Sequence, residues 1–497
     1  MNKRFLLDTL LLVLLLPAAA MAHIGSPDVY YDGHAGPYHL LVTVRPSPVV
    51  PGVAEIQVRS AANDISEIKI RPLRLVGPGA NLAPKPDLAQ QSSDDPQLFT
   101  GKLWIMDRGS WQVQIQIAGQ HGNAELGVPV PAVSTYSVRM QKTLGGMLSV
   151  LGLLLVCGLI GMVGAASRDA KLPPGEMPTA KQSRKGYITM TVAGVLVIAV
   201  LIGAKLWWAD EASANEKLAY KLPQAELSLV AGNKLQLILQ NPNEEAGFFT
   251  AGKDRIERVD RLRLDDLVPD HGHLLHLFLV RMPDMKSFWH LHPDQEATAA
   301  FNQELPGVPA GHYQVYADIV HATGFPETEV AEIDLPAITG KPVSNDDSGV
   351  PDLQAGETVS QLSNGYHMVW ERDQAPLKTR QPFWFRFRIE DPSGKPATDL
   401  QDYMGMAGHA VFLRSDGKVF AHVHPAGSVS MAAVDLASGQ KPGQTQDMAS
   451  MPGMNAPKNG EVSFPYGFPQ PGDYHIFVQV RRAGHVETGA FVAHVAN

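Results

Sequence analysis

Histidine recurs in this chain at spacings that suit metal ligation. His290-Leu291-His292-Pro293 and His422-Val423-His424-Pro425 are two copies of a His-x-His-Pro motif, and a further histidine precedes each, His276 and His409. The run Asp-His-Gly-His-Leu-Leu-His at 270–276 aligns without gaps on Tyr-Met-Gly-Met-Ala-Gly-His at 403–409, an offset of 133. Each copy continues with an apolar strand, a turn and a second strand, and closes with Gly-x-Tyr-x-[Val/Ile]-[Tyr/Phe] at 311–316 and 472–477. A single cysteine, Cys157, forbids an intrachain disulfide and any Cys₂ metal motif. The 18 histidines and 17 methionines are therefore the abundant soft or borderline ligands.

Strand geometry explains why the spacing matters. In the second copy, a hairpin turning at Asp416-Gly417 sets Val411 opposite His422 and His409 opposite His424. Residues two apart share a face, so the three imidazoles project to one side. Opposed Cβ atoms about 4.5–5.5 Å apart let imidazoles meet one ion at about 2.0–2.1 Å. A turn one residue longer in the first copy pairs Phe278 with His290 and His276 with His292.

The expected ligands are thus His276, His290 and His292, with His271 and His273 nearby, and His409, His422 and His424, with Met404 and Met406. Imidazole suits Cu(II) or Zn(II), and thioether selects Cu(I). The Met404/Met406 substitution and the loop bearing Met448, Met451 and Met454 favour copper, with zinc the alternative. His321, His367, His475, His485 and His494 read as ordinary structural or surface histidines.

The elements that carry these residues are set by composition and hydropathy. The chain has 497 residues, 18% of them charged, and a net charge of −9. That balance argues against nucleic-acid binding through a basic surface. Residues 1–22 read as a signal peptide: Lys3 and Arg4, an apolar core, and a small-x-small site at Ala20-Met21-Ala22. Residues 144–166 and 187–209 are each apolar and long enough to span a bilayer. The loop 167–186 between them is basic, which predicts the cytoplasmic side. Both flanks, 23–140 and 210–497, are then exported, and the protein is expected in a bacterial inner membrane with its large domains in the periplasm. Alternating apolar and polar residues predict a mainly β protein, with antiparallel β-sandwich domains of Ig-like or cupredoxin-like type joined by the transmembrane hairpin. The domains are 23–140, a first repeat at 210–340 and a second at 350–497.

Cleavage after Ala22 exposes the amine and imidazole of His23 together, with His34, His39 and His121, and Asp28 or Asp32, as completing ligands. This arrangement resembles the copper brace of CopC-type periplasmic carriers and copper monooxygenases. The stretch Met106-Asp107-Arg108-Gly109-Ser110-Trp111-Gln112-Val113, followed by strand alternation, resembles the YtkA/FixH-type periplasmic β-sandwich domain. That resemblance implies service to respiratory metalloenzymes. The histidine hairpins are similar to those of bacterial periplasmic domains suspected of copper handling.

Three functions follow. The leading one is a membrane-anchored copper protein that exchanges metal with envelope metalloenzymes or copper carriers, a binding rather than a catalytic role. The others are a copper oxidoreductase using the His23 brace and a non-catalytic interaction protein with incidental histidines. No Gly-x-Ser-x-Gly elbow, P-loop, His-Glu-x-x-His or dinucleotide fingerprint points to another chemistry.

Overall fold

Alternation of apolar and polar residues gives this protein its sheets. In Gly52–Ser60, Ala54, Ile56 and Val58 turn inward while Glu55, Gln57 and Arg59 turn outward. The computed structural model describes residues 28–77, 79–80, 82–135, 140–173, 175–217, 219–242, 263–372, 375–442 and 459–497. The chain is mainly β, in antiparallel sheets, and divides into two compact units: 1–133 with 221–497, and 134–220.

The N-terminal part of the first unit is a five-stranded and a four-stranded sheet enclosing one apolar core. Its first strand, β1 (Val29–Ala35), also reaches into the second repeat, where the ring of Tyr30 is buried.

The unit 134–220 consists of two helices, α1 (Lys142–Asp169) and α2 (Ala180–Lys217), lying antiparallel. Both are long and apolar enough to cross a membrane. Gly164 leaves room for Met190, since a Cβ there would lie 2.3 Å from the methionine Cγ. The hydroxyls of Ser167 and Thr189 hydrogen-bond at 2.7 Å. The helices extend beyond 144–166 and 187–209 into the basic loop.

Each repeat pairs a four-stranded sheet with a larger one. In the first repeat the larger sheet is built on β2 (His276–Met282), β3 (Phe288–Leu291) and β4 (Gly311–Val320), and in the second on β5 (His409–Arg414), β6 (Phe420–Val423) and β7 (Gly472–Arg482). The equivalent strands occupy the same order, with β2 between β3 and β4, and β5 between β6 and β7. The segment between the two expected repeats is not a free linker. Ser348–Val350 adds an edge strand to β3.

In the larger sheets, the strands that carry the histidine hairpins are buried on both faces, for different reasons. In β2, Leu277 and Leu279 face the repeat's own core, while Phe278 and Val280 join Val411, Leu413, Phe420 and Phe477 of the second repeat. One aromatic contact occurs twice. Phe288 stacks on Phe477 at 4.3 Å, and its counterpart Phe420 stacks on Tyr316, the counterpart of Phe477, at 4.2 Å. The repeats therefore pack as a pseudo-two-fold pair, with each surface meeting its own equivalent.

Candidate metal centre

The expected hairpin registers place the histidines. β2 and β3 pair Phe278 with His290, and β5 and β6 pair Val411 with His422. The face that carries the imidazoles is the repeat interface. His271, His273, His276, His290, His292, His409, His422 and His424 lie there in one continuous set of ring contacts.

A tight turn precedes each first histidine, and residue spacing alone had not shown it. Asp270 and His273 exchange backbone hydrogen bonds at 2.9 and 3.0 Å, with positive φ at His271 (52°) and Gly272 (87°). Met404 (51°) and Gly405 (78°) repeat this geometry. Two successive positive φ values suit a two-residue hairpin loop, and a side chain there costs about 1 kcal/mol or more. The turn carries the imidazole of His271 out of its own repeat.

Three histidines of the first repeat form the first trio, His276, His290 and His292. His276 Nδ1 lies 3.1 Å from His290 Nε2 and 3.2 Å from His292 Nε2. Each ring's other nitrogen has an acceptor. His276 Nε2–H donates to the Asp270 carbonyl at 3.0 Å, His290 Nδ1–H to Gln479 Oε1 at 2.8 Å, and His292 Nδ1–H to Asp347 Oδ1 at 3.0 Å. Those bonds fix the tautomers and leave three lone pairs facing one another. Lone pairs at this separation repel unless a cation lies between them. Spacings of about 3 Å are those of imidazole nitrogens around one ion bound at about 2.0–2.1 Å. Orientation through the second ring nitrogen is the usual support of a histidine ligand. Burial pushes His276 down to about 4, and His290 and His292 well below the usual imidazole range, so the rings are neutral and able to ligate at pH 7.

The second trio differs from the one expected. It consists of His271, His409 and His424, and so draws on both repeats. His271 Nε2 is 3.2 Å from His424 Nε2, and His424 Nδ1–H donates to the Val429 carbonyl at 3.1 Å. His409 is fully buried, and neither ring nitrogen has a hydrogen-bond partner. Burial holds His271 and His409 well below the usual range and His424 at about 3.

His422, the third ligand expected here, lies on the side of the first repeat, with its Nδ1 3.3 Å from the Asp318 carboxyl group. Asp318 and Gln479 are equivalents on β4 and β7, and each reaches across to a histidine of the other repeat. A polar residue two places beyond Gly-x-Tyr-x-[Val/Ile]-[Tyr/Phe] was the signal in the sequence for both.

The comparisons place part of this region. Residues 360–497 match a domain of unknown function, DUF8832. No curated protein matches the sequence. Among solved structures, the chain is similar to a tetra-tandem repeat in the extending region of a large adhesion protein, at 8% identity over 90% of this chain and 71% of that one, with a TM-score of 0.16. It is also similar to E. coli alpha-2-macroglobulin in its native conformation, at 9% identity over 96% and 23% of the chains, with a TM-score of 0.19. Likeness at these scores carries no argument. The matched domain contains His409, His422 and His424 but not His271.

The remaining expected ligands have different fates. Met406 is fully buried in the N-terminal core with Ala426, Val429 and Met431, so its thioether packs against apolar side chains rather than serving as a metal ligand. Met404 holds the turn position equivalent to His271. His273 stacks on His292 at 3.9 Å and meets Asp346 at 3.3 Å, at the edge of the first trio.

His23 and the loop with Met448, Met451 and Met454 lie outside the described residues. His34 and His39 stack at 4.5 Å, and His121 approaches Asp64 at 3.7 Å. Asp28 is paired with Arg45 at 3.3 Å, and Asp32 accepts from the Trp384 indole at 2.8 Å.

His321, read as structural, is a buried ion-pair residue between Asp266 and Glu327, each at 2.9 Å.

Proposed function

We propose that this chain is a membrane-anchored metal-binding protein that handles copper outside the cytoplasm and exchanges it with envelope metalloenzymes or copper carriers. The observation that carries this reading is the first trio, three buried imidazoles with converging lone pairs and every other ring nitrogen engaged by an acceptor. Affinity at such nitrogen sites rises to Cu(II) and falls again at Zn(II), which favours copper without a sulfur ligand. The signal sequence and the basic residues Arg168, Lys171, Lys181, Arg184 and Lys185 support an inner-membrane hairpin with both large parts on the periplasmic side. The resemblance of residues 106–113 to YtkA/FixH-type domains supports Ig-like or cupredoxin-like sandwiches in the service of respiratory metalloenzymes.

The test is elemental analysis and Cu(II) and Zn(II) titration of the full chain, exported and purified in detergent. Retained copper that His290→Ala reduces, with zinc bound more weakly, supports the reading. A chain that neither retains nor takes up either metal contradicts it.

A further inference from the structure

The two trios are neighbours. Within a trio, ring centroids lie 4.6–5.4 Å apart, as between His271 and His424 or His276 and His290. Between trios the separation is hardly larger, 6.1 Å from His271 to His276 and 6.0 Å from His290 to His409. His422 stands among them, 5.4 Å from His276, 5.6 Å from His290, 5.3 Å from His409 and 4.6 Å from His424. Its Nδ1 lies 3.3 Å from Asp318, and its Nε2 is buried with no partner.

An unpartnered buried polar nitrogen is costly, and native interiors rarely leave one without a role. Here one remains on His271, one on His422 and two on His409. The floor beneath them is apolar, with Phe278 stacked on His290 at 4.2 Å and 5.0 Å from His422. The carboxyl groups of Asp270 and Asp318 lie at the same interface, 3.7 Å from His271 and 3.3 Å from His422.

We propose that the two trios form one dinuclear copper centre across the repeat interface, with His422 Nε2 a further ligand to one of the two ions. This rests on the copper reading above and goes beyond it in number, placement and coupling. Each site then depends on the opposite repeat. The first needs Gln479 to orient His290, and the second needs His271 as a ligand. Neither repeat alone completes both.

The test is Cu(II) titration of the metal-free full chain, followed by electron paramagnetic resonance and by elemental analysis after removal of free metal. Two ions should be retained. The resonance should grow with the first and then broaden or fall as the second couples to it. His271→Ala should reduce the stoichiometry from two to one and leave an uncoupled signal, although this residue belongs to the first repeat. His271→Gln, which keeps a polar side chain in the turn, should do the same, and circular dichroism checks that both variants fold. His422→Ala should weaken the binding of one of the two ions and leave the other in place. A single bound ion in the wild-type chain, or two ions whose signals simply add, overturns the dinuclear centre. Absence of any bound copper overturns the copper reading itself.

Discussion

The two repeats share a hairpin, a register and a strand order, yet their histidine trios are not copies. The first repeat assembles its trio from its own strands, and the second takes in His271 from its neighbour. The cause is one turn. His271 and Met404 occupy the same left-handed position, but only the first can donate an imidazole nitrogen. The buried pair beneath each sheet differs in the same way. His321 with Glu327 in the first repeat stands where Arg482 with Glu487 stands in the second. Duplication preserved the scaffold, and single substitutions at equivalent places changed which side chains each half presents and when they are charged.

The largest effect should come from the shared interface. Phe288→Ala and Phe420→Ala each remove one of the two equivalent ring stacks, and each should cost about 3–5 kcal/mol by denaturant unfolding. Losses below about 1 kcal/mol, or a loss for only one of them, would break the pseudo-two-fold account.

The His321/Arg482 contrast predicts a pH dependence confined to the first repeat. Burial lowers His321, but its hydrogen bonds to Asp266 and Glu327 outweigh that, and its pKa rises from the ordinary 6.5 to about 9. The protonated ring therefore stabilises the fold fully below about pH 6.5, and that contribution is lost as pH rises through about 9. The loss should be on the order of 2–3 kcal/mol between pH 6.5 and pH 10. His321→Gln should lower stability at pH 6 and remove this slope. An unchanged slope in the variant would assign the titration elsewhere.

The smallest effect sharpens the view that each site leans on the opposite repeat. Gln479→Leu removes the acceptor for His290 Nδ1–H, and copper affinity at the first trio should weaken about 10–100-fold in competition titrations. Unaltered affinity would confine the first site to its own repeat.

The fold and much of the site were legible from residue pattern. Period-two alternation marked the strands. The Asp-Gly turn set the register that pairs Val411 with His422. Long apolar runs marked the two helices. The partnership between repeats was not legible, because a face bearing Phe278, His290 and Phe288 reads the same whether it meets solvent, a metal or another sheet. His422 was assigned to the second trio because strand pairing ignores Asp318, a contact more than a hundred residues away. Met406 read as a soft ligand because sequence spacing cannot show that its side chain enters the core of the N-terminal sheets.

The central claim is that imidazoles, not thioethers, hold the metal. X-ray absorption spectroscopy of the copper-loaded full chain tests it most directly. The account predicts a first shell of nitrogen at about 2.0 Å with the multiple-scattering pattern of three or more imidazoles per ion. A shell containing sulfur, or one of water and carboxylate oxygen without imidazole scattering, would contradict it.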